Sequence, residues 1–354
     1  MSLANLLLKI IGYNLWKRLG YPKIMPIVLT LSITDECNSR CKTCNIWKIK
    51  TTNELTLIEY EKIFENLGSL FWVTITGGEP FLRKDIKDIV VSLYKKTKLT
   101  YLTIPTNAIL TEKIVRDTEF IIKKCPDLKL VINLSLDGIG DLHDKIRGFK
   151  GNFHKVLETY HALRKINSEN LAIGINTVIS KYNINQIKEL YKFVTKNLKP
   201  DSYVCEVAEN RAKLYNLNLE LTPNYDEVLN FLIRKQRKVK GEISGMIKNL
   251  RNDFYRHLID KKTLNCYAGY ASANIMPNGD MWICYVKKSK IGNLRHATYD
   301  FKKIWYSKKA DEERDKVKRC KYECKLVNAF YTGTMCNFSM LANALLKLKR
   351  SIYL

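Results

Sequence analysis

Three of the chain's ten cysteines crowd one short stretch, Cys37-Asn-Ser-Arg-Cys41-Lys-Thr-Cys44. Thiolates spaced by three and then two residues on one loop can hold three corners of a metal centre. Structural zinc closes its shell with four ligands, and neither a histidine nor a fourth cysteine stands nearby. Three cysteines suit a 4Fe–4S cluster whose fourth iron stays open to an outside ligand. The polar, charged residues around them argue against three unrelated core thiols.

A second cysteine group follows late in the chain: Cys266, Cys284, Cys320, Cys324 and Cys336. Clustered cysteines in a reducing compartment more often bind metal than pair as disulfides. No stretch has the form of a secretory signal, and the longest apolar run falls far short of a membrane span of ~20 residues, so the sequence predicts a cytoplasmic location. Cys125 and Cys205 sit in or beside regular elements and read as core thiols. His143, His154, His161, His257 and His296 show no metal-ligand spacing.

Short β-rich runs at 27–33, 71–76, 99–105, 128–136, 171–180 and 202–207 must position these groups. They alternate with helical patterns at 56–67, 85–96, 111–124, 153–166 and 184–198. Strands separated by helix-length segments imply parallel pairing through crossovers. The fold class is therefore α/β, closing as a barrel, a partial barrel or an open sheet. Chemistry in such folds gathers at the carboxyl ends of the strands. The first cysteine loop, Gly77-Gly78-Glu79-Pro80, Thr106-Asn107 and Ser135-Leu136-Asp137-Gly138 all fall on that edge.

These residues together resemble the radical S-adenosylmethionine (radical SAM) enzymes. The loop Cys37-x3-Cys41-x2-Cys44 after the first strand matches that family's cluster-binding signature. The resemblance, spanning about residues 26–210, implies a partial (βα)6 TIM-like barrel. It also implies a 4Fe–4S cluster on the three cysteines and S-adenosylmethionine held by Gly77, Gly78, Glu79, Pro80, Thr106, Asn107, Ser135, Asp137 and Arg147. Glu79 would face the methionyl ammonium, and Arg147 the methionyl carboxylate. The chemistry implied is reductive cleavage to a 5′-deoxyadenosyl radical, which abstracts hydrogen from an unactivated C–H bond. An external low-potential electron donor is then required.

The late cysteines are similar to the opening of the family's SPASM/twitch extensions: Cys266, Gly279 and Cys284, followed by Ile291-Gly292-Asn293-Leu294 and Ile304-Trp305. A full SPASM domain has seven cysteines for two auxiliary clusters, and five are present here. The resemblance thus implies one auxiliary 4Fe–4S cluster on Cys266, Cys284 and Cys324, with Cys320 or Cys336 as the fourth ligand. Zinc is the alternative metal at that site.

The division expected is a basic amphipathic segment over 1–25, the barrel over 26–221, a charged helical linker over 222–262, a small cysteine-rich iron–sulfur domain over 263–338 and a basic amphipathic tail over 339–354. At the N-terminus Leu3, Leu6, Leu7, Ile10 and Ile11 share a helical face. Phe338, Leu341, Ala342, Leu345 and Leu348 do so at the other end. Either face suits a membrane surface or packing on protein.

With 46% hydrophobic and 27% charged residues, the composition excludes a disordered, collagen-like or low-complexity chain. The net charge of +25 draws anions: nucleic acid, an anionic membrane or a phosphorylated substrate. Arg234, Lys235, Arg237, Lys238 and Lys240 lack interleaved aromatics, so a solvated helix face is preferred to a nucleic-acid groove. At the sixth strand's end Glu206 and Glu209 are the candidate catalytic groups, able to orient a substrate or take its proton. A membrane lipid or isoprenoid is the favoured substrate, with peptide or protein maturation by the same chemistry as the alternative. A zinc or iron–sulfur nucleic-acid-binding protein is the reading from another class. Nothing in the residues sets the oligomeric state.

Overall fold

The computed structural model describes residues 3–49, 51–211, 214–216, 218–235 and 242–337. The tail expected over 339–354 lies outside them. In chain order the first half runs α1 (Leu3–Leu19), β1 (Val28–Thr34), α2 (Leu57–Glu65), β2 (Trp72–Gly77), α3 (Ile86–Thr97), β3 (Tyr101–Thr106), α4 (Thr111–Lys124), β4 (Lys129–Ser135), α5 (Asp141–Arg147) and α6 (Asn152–Leu163). Next come β5 (Leu171–Ile179), α7 (Ile187–Phe193), β6 (Ser202–Val207), α8 (Asp226–Lys235) and α9 (Glu242–Ile259). The chain closes with β7 (Ser272–Ile275), β8 (Asp280–Trp282), β9 (Lys290–Asn293), α10 (Phe301–Trp305), α11 (Lys308–Lys318) and α12 (Val327–Met335).

Strands β1 to β6 pair in parallel, each with the next, and helices join them. This is the α/β architecture that the alternation of strand and helix patterns predicts, in the partial-barrel form that the resemblance implies. Its strands lie within two residues of the expected runs. Buried Leu29, Leu31 and Ile33 alternate with Thr30 on β1, and Val73 and Ile75 alternate with Thr74 on β2. The apolar set packs beneath the helices while the hydroxyl set faces the barrel interior.

One sheet runs through the whole molecule. Its order is β6-β5-β4-β3-β2-β1-β7-β8-β9. Strand β7 adds to the free side of β1 in parallel, with Val28 opposite Ser272 and Leu31 opposite Ile275. The cysteine-rich C-terminal region therefore continues the barrel sheet. A tight hairpin at Gly279 (φ +85°) then leads antiparallel into β8.

Helix α1 packs on this C-terminal region. Ile10, Tyr13 and Trp16 are buried, and Trp16 stacks edge-on against Tyr270 and Trp305. Arg314 lies over both Trp16 and Trp305. Ile11, grouped by its spacing with the inner face, is instead exposed, and so are Leu8, Leu15 and Leu19. No helix among the described residues is long and apolar enough to cross a membrane.

Candidate functional site

The first cysteine loop leaves β1 and is clamped from three sides. Gly78 N donates to Thr34 O and Glu79 N to Glu36 O, each at 2.8 Å. A Cβ on Gly77 would stand 2.1 Å from Thr34 O, and one on Gly78 2.0 Å from Glu36 O. The two glycines thus let the end of β2 close against the root of the loop. On the second side, Arg40 N donates to Arg147 O at 3.0 Å and Lys42 N to Ile146 O at 2.9 Å. Gly148 makes this approach feasible, since a Cβ there would lie 2.4 Å from Arg40 O and its φ is +64°. On the third, Asn107 Nδ2 donates to Asn38 Oδ1 at 2.7 Å and to Ser39 Oγ at 3.0 Å.

Within this clamp Cys37, Cys41 and Cys44 lie close enough to influence one another's charge. Burial, followed by lesser effects, pushes the Cys37 thiol up to about 11 and Cys44 up to about 12, and Cys41 is also raised. Such thiols do not ionise unaided at neutral pH, but a coordinated metal deprotonates them outright. Backbone N–H groups already point at two of the sulfurs, Ser39 N at Cys37 and Ile46 N at Cys44, both at 3.5 Å. Hydrogen bonds of this kind tune iron–sulfur clusters. Arg147 stands alongside: burial opposes its charge, but Cys41 and Asp137 outweigh that and hold its pKa above the ordinary value. Its Nη1 donates to Asp137 Oδ2 at 3.1 Å, while its buried Nε has no partner among the described residues.

Glu79 is wholly buried. Oε1 accepts from Phe81 N (3.2 Å) and Thr106 Oγ1 (2.8 Å), and Oε2 from Asn107 N (2.7 Å). Burial raises its pKa against the pull of these donors. A carboxylate has about four acceptor positions, so one is left for a ligand donor. Asp137 Oδ1 accepts from Val178 N at 2.8 Å, tying the end of β4 to β5. Ser135 is half-buried opposite Asn176, and Pro80 is buried in the turn after Glu79.

His143, which spacing alone marks as incidental, is part of this framework. Its Nδ1 accepts from Asp137 N at 3.0 Å, and its Nε2 pairs with Asn152 Oδ1 at 3.1 Å. Asn152 Nδ2 in turn donates to Asn107 O at 2.9 Å. Accepting at Nδ1 fixes the neutral tautomer with hydrogen on Nε2, and burial lowers the pKa to about 4. A buried histidine with one neighbouring acidic loop has no sequence spacing to reveal it.

The late cysteines divide. Cys266, Cys284, Cys320 and Cys324 line one cavity of about 560 Å³, rimmed by Lys287, Lys288, Lys290 and Lys316. Cys336 does not reach it: it is fully buried at the end of α12, where its carbonyl accepts from Asn14 Nδ2 of α1 at 2.8 Å. Placement thus sets Cys320, and not Cys336, beside Cys266, Cys284 and Cys324. Ala268 N points at Cys266 Sγ and Lys287 N at Cys284 Sγ, each at 3.4 Å. Burial, chiefly, raises Cys266 to about 11 and raises Cys324 as well; the neighbouring Glu209 carboxylate adds to the latter. No three of the described His, Cys, Asp or Glu side chains converge tightly enough for a single ion.

Between the two cysteine groups lies an inner barrel cavity of about 300 Å³. Thr30, Thr74, Thr103, Asn133, Asn176 and Glu206 face it from successive strands, and Val327, Asn328 and Tyr331 of α12 close it. Glu206 accepts from Asn176 Nδ2 at 3.5 Å and pairs with Arg211 at 3.4 Å. Glu209 also borders the cavity, but its Oε1 accepts from Lys325 N at 2.9 Å and its Oε2 lies 3.6 Å from Arg211 Nε. Cys125 and Cys205 are buried in the core.

Comparison with known proteins agrees with this geometry. The model of the radical SAM superfamily matches residues 31–194, and that of SPASM, an iron–sulfur cluster-binding domain, matches 266–325. The chain is 27% identical over 228 residues to Fe-coproporphyrin III synthase of Methanosarcina barkeri, a match covering 62% of this chain and 54% of that enzyme. It is 31% identical over 222 residues to GTP 3′,8-cyclase of Peptoclostridium acidaminophilum, covering 60% and 65%. The chain thus spans only about half to two thirds of these relatives' length. Its fold is similar to that of SuiB of Streptococcus suis bound to S-adenosylmethionine, with a TM-score of 0.59 at 19% identity over 89% of this chain and 75% of that one. SuiB has also been solved bound to its precursor peptide SuiA, and that structure matches with a TM-score of 0.57 at 20% identity over 95% of this chain and 77% of SuiB. The clamped three-cysteine loop at the barrel's carboxyl edge lies in the first match and the second cysteine cavity in the second, so the chain carries a radical SAM domain followed by a SPASM-type iron–sulfur cluster-binding domain.

Proposed function

We propose that this enzyme removes hydrogen from an unactivated C–H bond of a substrate group that occupies the inner barrel cavity and carries hydroxyl or amine donors. When bound, the cluster on Cys37, Cys41 and Cys44 and S-adenosylmethionine supply the 5′-deoxyadenosyl radical for that step, with electrons from an external low-potential donor. Everything else falls to the chain's own side chains. Arg147, whose Nε has no partner among the described residues, would bind the cofactor's carboxylate, and the free acceptor position on Glu79 suits the ammonium. Cys266, Cys284, Cys320 and Cys324 would hold the auxiliary cluster.

The observation that carries the substrate reading is the charge set in the cavity. Arg211 is the only Lys or Arg among its described lining residues, and Glu206 and Glu209 both lie against it. An anionic group entering there would meet two carboxylates and one engaged guanidinium. Asn133 Oδ1 also has no partner among the described residues. Both features favour hydrogen-bond donors and disfavour a phosphate. Glu206 orients the donor or takes the proton released after hydrogen abstraction, whereas Glu209 acts through Arg211 and Lys325 as a positioning residue. The Thr and Asn side chains suit the polar group, and Trp72, Val178, Val204, Leu221 and Tyr331 beside them suit an attached apolar chain.

A membrane lipid remains the first source of such a group, in keeping with the net charge of +25. An amine- or hydroxyl-bearing peptide side chain satisfies the same walls, and the SuiB fold is one that accommodates a precursor peptide. The test is 5′-deoxyadenosine release by anaerobic, dithionite-reduced protein, with amine- or hydroxyl-headed lipids in one arm and Lys- or Ser-bearing peptides in the other. Glu206→Gln is expected to cut substrate-stimulated release by roughly tenfold to a hundredfold while leaving iron content unchanged. Stimulation by phosphorylated compounds alone would overturn the reading.

A further inference from the structure

A helix on a protein surface normally buries one apolar stripe and turns polar residues outward. Helix α1 does the first and not the second. Its inner face buries Ile10, Tyr13 and Trp16, and its opposite face carries Leu8, Ile11, Leu15 and Leu19 at spacings of three and four residues. These are 66%, 42%, 41% and 75% exposed, and Tyr21, just beyond the helix, is 75% exposed. Nine large apolar side chains are exposed among the described residues, and five of them fall between Leu8 and Tyr21. Scattered surface hydrophobes are ordinary, but such concentration marks an interaction site.

Exposed Arg18 and Lys23 border the stripe. Among the described residues the only acidic partner of either is Asp311, which pairs with Lys23 at 2.6 Å. An outer face combining a leucine row, a flanking tyrosine and cations, on a chain of net charge +25, complements an anionic bilayer surface. The same charge opposes self-association through this face. The helix is also anchored firmly enough to carry the load. Asn14 bonds to the carbonyl of Cys336 and to the Tyr267 hydroxyl, and Lys17 Nζ donates to Cys266 O at 2.9 Å.

We propose that the outer face of α1 docks the enzyme on an anionic membrane, with Leu8, Ile11, Leu15 and Leu19 entering the headgroup boundary. Cys336 at the end of α12 touches α1, and the start of the same helix, Val327 and Asn328, walls the inner cavity. Nine residues of helix span about 13 Å, so docking holds the cavity wall one short helix away from the inner face of α1. This goes beyond the substrate reading and survives its failure, because docking can be read without turnover.

Flotation of the iron-loaded protein with vesicles of phosphatidylcholine and phosphatidylglycerol in equal parts tests it. Binding is expected to these vesicles, to be weaker with phosphatidylcholine alone, and to decline with salt. Leu15→Glu with Leu19→Glu should cut binding about tenfold or more, with circular dichroism and iron content unchanged. Ile58→Glu, a control at an exposed apolar site on α2, should not. If the glutamate pair fails to fold, Leu8→Gln with Leu19→Gln serves in its place. Absence of vesicle binding by the parent, or equal binding by the substituted chains, overturns the proposal. So does a dimer that the double substitution dissolves without any vesicle binding, which would assign the stripe to a second copy.

Discussion

The two cysteine groups are built in opposite ways. Cys37, Cys41 and Cys44 come from one loop, and backbone hydrogen bonds from residues 78–79 and 146–147 hold that loop's shape. Cys266, Cys284, Cys320 and Cys324 come from segments far apart, and only the folded C-terminal region brings them to one cavity. Their surroundings differ too: Arg147 stands beside the first group, whereas Lys287, Lys288, Lys290 and Lys316 rim the second, with the Glu209 carboxylate next to Cys324.

The largest effect should separate the two groups directly. Cys41→Ala is expected to abolish 5′-deoxyadenosine release, by at least about a thousandfold, while the C-terminal iron remains. Cys324→Ala should lose roughly half the iron and keep cofactor cleavage within about tenfold. Equal loss of cleavage in both, measured with iron content, would erase the distinction drawn here.

A smaller effect sharpens the claim that backbone shape holds the first loop. Gly148→Ala puts a Cβ against Arg40 O at a left-handed position, and it should destabilise the chain by roughly 2–4 kcal/mol. Denaturant titration reads this, and iron should leave the three-cysteine loop first. Loss from the C-terminal cavity first would break the argument.

Much of this was legible in the residues alone, and what was not has physical causes. Local signals carried the strands, because alternation of Leu29, Leu31 and Ile33 with Thr30 survives into the barrel unchanged. The three-cysteine loop was readable for the same reason: its spacing is its geometry. The second cavity was not, since which of Cys320 and Cys336 lines it depends on where α12 ends against α1. Nor was the sheet's continuation through β7, because a four-residue strand carries too little pattern to name its partner. Helix α1 misled in a different way. With apolar residues on two faces, its periodicity cannot say which one is buried, and it does not separate Ile10, which is buried, from Ile11, which is exposed. Asn152 and His143 gave no signal because their hydrogen bonds span separate turns.

The smallest predicted effect concerns pH and again divides the regions. His143 is held neutral with a pKa lowered to about 4, whereas in the unfolded chain it protonates near 6.5. Between those values the unfolded state binds more protons, so stability is complete above pH 6.5 and falls as the pH drops toward 4, by up to about 3 kcal/mol. Denaturation midpoints across this range should show it, and His143→Gln should flatten the slope. No histidine lines the C-terminal cavity among the described residues, so acid should loosen the barrel-edge framework first. An unchanged slope in the variant would assign the acid sensitivity elsewhere.

The pairing of β7 with β1 makes the molecule its own ruler. The strand that launches Cys37 is fixed on its other side to the strand that follows Cys266, through the register Val28–Ser272 to Leu31–Ile275. The spacing between the two cysteine groups is thereby tied to main-chain ladder bonds. Side-chain substitutions could remodel the cavity for a new substrate while that spacing stayed constant. Altering it would take a slip of the strands, and facing requires slips of two residues, in jumps of roughly 6.6 Å. The lining of the cavity and the spacing of the two strands can therefore vary independently in this architecture.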